Sequence, residues 1–336
     1  MQVQNKILVL DEFCSVAELK KRKTLQAKDH VDYGCLMVHR VRFEKHLLRG
    51  FLHLGLGDFV FRHSLQLSGV DLRAYPLIIL NQTNRDPEVF IKYIRRHNSK
   101  CRLLYQYWNT VISGTEKAGF KRFLENRKRY RFDVVSFDKG DCRKWGFVYG
   151  PQYIPGEIER SQYQGGPEVD VFFVGKDKNR LGFLKKIEQE LEKRQISSKI
   201  WVLPDNRKKV YQPGEKKYLM AHEVPHQEVI RQDQKSRAIL DVVQNKQAGL
   251  TWRAIEALLL QKKLITTFED IKDYDFYRKE NIFIWGKDDL SELKTFINSP
   301  YQPIDKEIRE QYTFEGWLKT LYQTMHWDIQ ELERKS

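Results

Sequence analysis

The sequence has few cysteines, no long apolar run and no recognisable leader. Its four cysteines among 336 residues (Cys14, Cys35, Cys101 and Cys142) are far apart, which indicates a reduced protein rather than a disulfide or zinc framework. No stretch approaches the roughly 20 apolar residues that a membrane-spanning helix needs. The opening residues MQVQNKILVL lack the basic flank and cleavage site of a signal peptide, so we expect a cytoplasmic protein.

Motifs of several enzyme classes are missing as well. The sequence contains no Gly-x-Ser-x-Gly, no His-x-His and no cluster of cysteine with histidine, so we expect neither a hydrolase triad nor a metal ion nor a cofactor. Hydrophobic residues make up 41% of the chain, too many for a disordered protein and too few for a polytopic membrane protein.

Positive charge is present in excess and is unevenly distributed. The chain has 59 Lys and Arg against 45 Asp and Glu, a net charge of +14. Residues 1–150 hold 28 basic and 15 acidic residues (+13), whereas residues 151–336 hold 31 and 30 (+1). An anionic partner is therefore indicated for the first half, and nucleic acid, an anionic membrane surface or a phosphorylated substrate would each fit.

Short apolar runs alternate with amphipathic ones along both halves, which predicts parallel sheets flanked by helices. The predicted strands are residues 6–10, 76–80, 101–107, 132–137, 170–174, 199–203, 238–243, 264–267 and 281–285. The predicted helices are residues 15–28, 43–52, 87–97, 120–131, 181–194, 251–261, 288–298 and 313–325. A segment rich in proline and glycine, residues 151–167, indicates a linker between two domains. The fold class is thus α/β, with two Rossmann-like domains facing across a ligand cleft.

Two segments carry candidate chemistry. In the turn after the strand at 170–174, Gly175 allows a tight bend, and Lys176, Lys178 and Arg180 could hold a diphosphate beside a helix N-terminus. An ordinary basic surface turn is the alternative. In the second segment, Thr251 can cap a helix on which Arg253 and Glu256 share a face.

Glu256 could accept hydrogen bonds from both hydroxyls of a ribose, while Arg253 and the Thr251 cap meet a phosphate. The alternative is a local ion pair between Arg253 and Glu256, since they are three residues apart on one helix.

The stretch from Ala238 to Trp285, with AILDVV, GLTWRAIEAL, KKLITT and YDFY, resembles bacterial glycosyltransferases of the GT-B fold that make lipopolysaccharide or capsule. YQYWNTV, SFDKGDC and FFVGKDKNR resemble that group too. The resemblance implies domains at 1–155, for the acceptor, and 168–312, for a nucleotide-sugar donor. It also implies a final helix at 313–336 that bridges back to the first domain.

The resemblance also assigns roles on the donor side. Glu256 matches the acid that holds the nucleotide ribose, and Gln247 is a candidate contact for the sugar. The remaining donor residues that it implies are Gly175, Lys176, Lys178 and Arg180 at the diphosphate, with Thr251 and Arg253 near the phosphates or sugar. Ala248 replaces the first acid of the family's Glu-x7-Glu pattern, which counts against the retaining mechanism of enzymes with that pattern.

A catalytic base for the acceptor hydroxyl is expected at Glu12 or Asp11, directly after the first strand, and then at Asp58. Each of them, taken singly, also fits a solvated or capping residue, and His53 fits a core histidine. Asp273 and Asp275 form an Asp-x-Asp, the manganese–diphosphate element of another glycosyltransferase fold, but a structural role in a loop fits its late position better.

The basic runs at 20–23 and 121–131, with Phe120, Phe123 and Tyr130 interleaved, fit an anionic membrane, single-stranded nucleic acid or a solvated face. We expect a glycosyltransferase at the inner face of the plasma membrane that uses a nucleotide sugar and a glycan or polyprenyl-diphosphate-linked acceptor. A GT-B-shaped nucleotide-sugar epimerase and a nucleic-acid-binding protein are the alternatives; no RRM, KH or helix-turn-helix signature favours the second.

Overall fold

The computed structural model describes residues 7–16, 19–20, 31–40, 42–81, 87–108, 111, 118–154, 165–205, 210–244 and 249–325. They divide into two compact units. Unit 1 comprises Met1–Pro151 together with Trp317–Ser336, and unit 2 comprises Gln152–Gly316. Each unit is built around one parallel sheet with helices packed on it.

The strands follow the apolar runs of the sequence. In chain order they are β1 (Ile7–Ser15), β2 (Val31–His39), β3 (Leu77–Asn81), β4 (Arg102–Tyr107), β5 (Asp133–Ser136), β6 (Val148–Tyr149), β7 (Val169–Lys176), β8 (Ser198–Leu203), β9 (Ser236–Asp241), β10 (Lys263–Thr266) and β11 (Ile282–Ile284). The helices are α1 (Arg42–His53), α2 (Gly57–Ser68), α3 (Glu88–His97), α4 (Ala118–Tyr130), α5 (Lys139–Trp145), α6 (Leu181–Lys193), α7 (His226–Gln234), α8 (Trp252–Leu260), α9 (Leu293–Asn298), α10 (Lys306–Glu310) and α11 (Phe314–Thr324).

The sheet of unit 1 has the order β2-β1-β3-β4-β5-β6, and all of its paired strands are parallel. Central strand β3 is wholly apolar up to its last residue, and Leu77, Ile78, Ile79 and Leu80 are fully buried. A continuous apolar run of this kind is what a parallel strand covered on both faces requires.

The sheet of unit 2 has the order β11-β10-β9-β7-β8 and is also entirely parallel. Its two faces carry separate cores. Leu240 of β9 packs in one core with Phe173 and Leu184, whereas its neighbour Ile239 packs in the other with Ile255. Successive side chains of a strand point to opposite faces, so β9 supplies both cores.

Both sheets reverse their strand order at one place. β1 is flanked by β2 and β3, and β7 is flanked by β8 and β9. Within each sheet the connection from the first strand to the second therefore runs in one direction, and the next connection returns across the first strand. In parallel α/β sheets a crevice forms at the carboxyl ends of the strands at such a switch point, and ligands bind there. In unit 2 this places the loop after β7 beside the loop after β9.

The predicted rhythm of strands and helices is confirmed, although β2, β6, α2, α5, α7 and α10 were missed. β2 was missed because Asp32 and Gly34 interrupt its apolar run, and α2 because Leu56, at its N-cap, offers no capping side chain. α7 follows Pro225, likewise has no side-chain cap, and is mostly polar. The predicted helix at 15–28 lies mainly outside the described residues, as does most of the linker at 151–167.

α11 is anchored to unit 1 through a close approach at Gly150. Trp317 and Leu321 are fully buried, and a Cβ on Gly150 would lie 2.8 Å from Trp317 Nε1 and 2.6 Å from Val135 Cγ1. Only glycine leaves room for the indole there. Among the helices of the described ranges, none is long and apolar enough to cross a membrane.

A Gly150→Ala substitution is expected to destabilise the protein by about 1–3 kcal/mol, because the added methyl group overpacks this contact. Gly119, whose Cβ would meet open space within α4, is the matched control: Gly119→Ala should leave stability unchanged or raise it. Urea unfolding followed by tryptophan fluorescence measures both. Equal midpoints for the two variants would contradict the close approach at Gly150.

Candidate functional site

The loop after β7 is shaped by Gly175 and Arg180. A Cβ on Gly175 would lie 3.0 Å from the Arg180 guanidinium and 3.2 Å from the Phe173 ring, so the missing side chain lets the guanidinium lie against the end of the strand. Arg180 then donates to the carbonyl of Lys176 at 2.5 Å and to the carbonyl of Val242. The guanidinium therefore ties the carboxyl ends of β7 and β9 together, directly at the switch point of the sheet.

Burial lowers the pKa of Arg180, although the nearby carboxylates of Asp241, Asp205 and Asp177 oppose that shift. Its guanidinium stays charged, because even a lowered arginine pKa lies far above neutrality. Since all three of its guanidinium nitrogens already bind backbone carbonyls, with Nε donating to Asp177, Arg180 acts first as a brace for this edge.

The two lysines of the loop are more accessible. Lys176 Nζ lies 3.3 Å from the exposed carboxylate of Glu223. Lys178 and Asn179 adopt left-handed φ values of 42° and 62°, which are uncommon for residues other than glycine, and the Lys178 amide donates to the Asp205 carboxylate. Burial lowers the pKa of the Lys178 amine. This loop therefore presents two cations on a constrained backbone.

Asp177 is a buried acid that sequence analysis passed over. Its carboxylate accepts from the Leu181 amide at 3.0 Å, at the start of α6, and from the Tyr211 hydroxyl at 2.9 Å. One of the amides at the N-terminus of α6 is thus already bound to a carboxylate. The predicted role of this helix end in holding a diphosphate rests on its remaining amides and on the two lysines.

Across the switch point, Thr251 caps α8 as predicted. Its hydroxyl accepts from the Ala254 amide at 3.2 Å and hydrogen-bonds to Asp241, the last residue of β9. Thr266, at the end of β10, donates to the same carboxylate at 3.0 Å. Burial raises the pKa of Asp241 while Thr266 and Thr251 lower it in part. Asp241 was also missed, although an acid that ends the apolar run AILD is a signal.

Arg253 and Glu256 lie in a buried network with two residues from α7. The Arg253 guanidinium donates to both carboxylate oxygens of Asp233 at 2.7 and 2.8 Å, and to Glu256 Oε2 at 2.6 Å. It also lies 5.5 Å from the centroid of the Phe172 ring. The other oxygen of Glu256 lies 2.7 Å from His226 Nε2. The local ion pair that sequence analysis gave as an alternative is therefore present, within a larger network.

Protonation in this network follows from its geometry. Burial alone would raise the pKa of Glu256, but the charge of Arg253 and the contact with His226 outweigh burial and lower it. Burial raises the pKa of Asp233, and the charge of Glu256 adds to that rise while Arg253 opposes it. Glu256 is thus held as a carboxylate. Its side chain is 2% exposed, and its one partner with substantial exposure is His226, at 38%.

The structure therefore brings together Gly175, Arg180 and Thr251 at one edge of the second sheet, and pairs Arg253 with Glu256 on α8, whose cap is Thr251. Their binding roles stay predictions. Gln247 lies outside the described residues. His226 and Asp233 were not predicted, since they are 30 and 20 residues away from their partners Glu256 and Arg253 and no local pattern connects them.

The sequence contains one histidine motif that the prediction of no metal site did not consider. His222, Glu223 and His226 match His-Glu-x-x-His, which binds zinc when both histidines lie on one helix. Here α7 begins only at His226, after Pro225, so the spacing does not place the two side chains on one helical face. Across the described ranges, no group of three or more His, Cys, Asp or Glu side chains could hold a metal ion.

In unit 1 the prediction that Asp11 and Glu12 follow the first strand is wrong, because β1 continues to Ser15 and contains both. Neighbouring residues of a strand point to opposite faces, so the two cannot serve one site together. Asp11 is nevertheless level with Asn81, the last residue of β3, whose amide donates to it at 2.6 Å. Asp11 therefore lies at the carboxyl edge of β3, beside the switch point between β1 and β3.

The third candidate base, Asp58, lies in the first turn of α2, is exposed and forms an ion pair with Arg96. The side chain of His53 lies outside the described residues. In the Asp-x-Asp segment, Asp275 accepts from the Tyr312 hydroxyl at 3.1 Å, which is a structural contact.

The comparison with solved structures bears on the architecture, whereas the two comparisons of sequence found no match. No family model and no curated sequence matches the chain. Its structure is similar to that of a sucrose-phosphate synthase from Thermosynechococcus elongatus, with 11% identity, a TM-score of 0.51 and coverage of 96% of this chain and 99% of that one. A glycosyltransferase from Rickettsia africae follows with 11% identity, a TM-score of 0.49 and coverage of 98% and 97%.

A putative UDP-N-acetylglucosamine 2-epimerase from Listeria monocytogenes shows 8% identity, a TM-score of 0.43 and coverage of 91% and 90%. At such low identity the likeness to the sucrose-phosphate synthase establishes the fold alone. The protein consists of two Rossmann-like parallel α/β units, the architecture of the GT-B fold, and the predicted fold class is confirmed.

Proposed function

We propose that the protein is a glycosyltransferase that takes a sugar from a nucleoside-diphosphate donor bound by unit 2. The observation that carries the proposal is the edge of the second sheet at its switch point. There Gly175 and Arg180 join the ends of β7 and β9, Thr251 caps α8, and Glu256 is held as a carboxylate one turn further along that helix.

A ribose would bind at Glu256, since a charged acceptor forms strong hydrogen bonds with hydroxyls. Oε2 of Glu256 is engaged by Arg253, so the ribose hydroxyls approach Oε1 and displace or join His226 there. The diphosphate would then extend toward Lys176 and Lys178.

Transfer requires that the acceptor hydroxyl oxygen bonds to the anomeric carbon while the bond from that carbon to the diphosphate oxygen breaks. The departing diphosphate gains negative charge, which fixed cations and helix amides stabilise without a metal ion. A carboxylate takes the proton of the acceptor hydroxyl. We propose Asp11 for this role ahead of Glu12 and Asp58, because Asn81 orients its carboxylate at a carboxyl strand edge.

The biological setting that we propose comes from the sequence resemblance to lipopolysaccharide and capsule transferases. The acceptor would be a glycan or a glycan on a polyprenyl diphosphate, at the cytoplasmic face of the plasma membrane. The excess of +13 in residues 1–150 supports an anionic surface or lipid diphosphate as a partner of that half.

The test is a thermal-shift screen with nucleoside diphosphates and nucleotide sugars, with and without EDTA, followed by a transfer assay. We expect at least one nucleoside diphosphate to raise the melting temperature, and EDTA to leave that shift unchanged. A donor that is converted without any acceptor would instead indicate an epimerase. Salt-sensitive binding of RNA or DNA, with no response to any nucleotide, would refute the proposal.

The two exposed lysines of the β7 loop give a sharper prediction. Lys176→Ala together with Lys178→Ala is expected to weaken binding of the diphosphate about 10- to 100-fold, because each lysine supplies a charge-assisted hydrogen bond. Lys193→Ala, at the other end of α6 and paired with Glu190, is the matched control and should bind like the unmodified protein. Calorimetry measures the affinities, and an unchanged affinity in the double variant would remove these lysines from the site.

A further inference from the structure

Large exposed apolar side chains are concentrated on one part of unit 1. The described residues include ten such side chains, and five of them lie between positions 47 and 59. We call this surface the α1–α2 tip, and it is formed by Leu47, Phe51, Leu54, Leu56 and Phe59. Leu54 is 74% exposed and Phe59 73%. Single exposed apolar residues need no explanation, whereas a contiguous group of this kind marks an interaction site.

The side chains of the tip are not needed to pack α1 and α2 against the core of unit 1. Leu48 and Leu52 of α1 pack against the core of unit 1, and Val60 and Phe61 of α2 are part of it. Amphipathic helices that bury one face normally carry polar residues on the other. Here the turn between the helices, which Gly55 makes at φ 78°, exposes leucine on either side of the glycine. Packing in the core explains why Leu48, Leu52, Val60 and Phe61 are apolar, but it does not explain why the residues of the tip are.

Basic residues accompany the tip. Residues 40–63 contain five Arg or Lys and only two acids. Arg62, on α2, and His63 beside it are exposed. Of the two acids, Asp58 is already neutralised by Arg96 of α3. Apolar side chains flanked by cations are the combination that binds the interface of an anionic bilayer, where leucine and phenylalanine enter the acyl boundary and cations meet the headgroups.

The basic helix α4, at which the sequence suggested a membrane or nucleic acid contact, offers no comparable surface. Phe123 is buried and Phe120 packs on Trp145, so the interleaved aromatic rings face the protein. Arg122 binds Glu88, and Arg127 donates to the carbonyls of Trp145 and Gly146. These aromatic rings cannot stack on bases, and the side chains of Arg122 and Arg127 are bound within the protein.

We propose that the α1–α2 tip is a membrane-docking surface that inserts Leu54 and Phe59 into the interface of an anionic lipid bilayer. A bilayer suits the tip because its most exposed residues are at a turn between two helix ends, and the exposed Arg62 lies three residues after Phe59 on α2. The inference gives a location to the membrane contact in the proposed function, but it stands on the geometry of the tip and does not require transferase activity.

The experiment is sedimentation with vesicles of phosphatidylcholine alone and of an equal mixture with phosphatidylglycerol. The unmodified protein is expected to bind the anionic vesicles, and high salt should weaken that binding. The double variant Leu54→Ser, Phe59→Ser should lose about tenfold or more in partitioning, since both side chains lose their apolar contact with the bilayer. Val210→Ser, an exposed apolar residue of unit 2, is the matched control and should bind normally.

A second variant, Lys121→Ala with Lys128→Ala on α4, distinguishes the tip from a general attraction to charge. If that variant loses binding and the tip variant does not, the proposal is wrong. The same holds if the unmodified protein ignores anionic vesicles, or if the tip variant only changes an oligomeric state, which would make the tip a protein interface. Melting temperatures confirm folding, and the nucleotide-induced shift should be unaltered in the tip variant, so failure here is separable from failure of the donor site.

Discussion

Replacing Arg253 by alanine is expected to lower the free energy of unfolding of unit 2 by roughly 3–5 kcal/mol, because it leaves two buried carboxylates without their counter-charge. Asp233 is fully buried and Glu256 is 2% exposed, and both are bound to this one guanidinium. Deleting one partner of a buried pair costs far more than the pair contributes, since a buried charge is left without its counter-charge, although Glu256 keeps its contact with His226. Thermal and urea unfolding measure the loss.

Two further variants make this prediction specific. Arg253→Ala combined with Asp233→Ala should recover part of the lost stability, since one of the unpaired charges is then removed. Arg231→Ala, which breaks an exposed ion pair with Glu228 on the neighbouring helix α7, should leave the unfolding midpoint where it was. If Arg253→Ala behaved like Arg231→Ala, the network would be a surface feature and the assignment of Glu256 as a fixed carboxylate would lose its basis.

The second large effect concerns binding. Glu256→Gln is expected to weaken the affinity for a nucleoside diphosphate by about tenfold or more, because a neutral amide accepts hydrogen bonds from the ribose less strongly than a carboxylate does. The substitution keeps the shape of the side chain, and Arg253 retains Asp233 as its counter-charge. Stability should therefore change much less than affinity. Calorimetric titration measures the affinity, and the unfolding midpoint measures the stability.

Asp233→Asn is the matched control for Glu256→Gln. It also removes one negative charge from the Arg253 network, but it leaves the Glu256 carboxylate and its contact with His226 in place. If both variants weaken binding equally, the effect comes from the network as a whole rather than from a ribose contact. The ribose assignment also predicts that the unmodified protein binds a ribonucleoside diphosphate better than its 2′-deoxy form, and that Glu256→Gln loses this preference.

Several predicted elements depended on local pattern and were therefore predictable. The run AILDVV became β9, and the cap at Thr251 started α8, because hydrophobic period and capping chemistry act within a few residues. Two of the missed helices have no start signal in the sequence. α2 begins after Leu56 and α7 after Pro225, with no capping side chain at either, so their limits depend on tertiary packing.

The candidate site shows the same division. The sequence singled out Arg253 and Glu256 from their spacing on one helix. It did not reveal Asp233 and His226, which lie on α7. Asp233 binds Arg253, and the partly exposed His226 contacts Glu256. Asp11 and Glu12 were placed after β1, but β2 pairs with β1 as far as Ser15 and lengthens the strand beyond its apolar run.

By itself, the sequence determined the α/β class, the order of most strands and helices, and the concentration of positive charge in the first half, because each of these is a sum or a period over neighbouring residues. Only the tertiary structure decided which charged side chains bind partners within the protein and which apolar side chains remain exposed. Arg180, Arg122 and Arg127 bind internal partners, whereas Leu54 and Phe59 remain exposed. Burial and ion pairing join residues far apart in the chain, so no local pattern contains them.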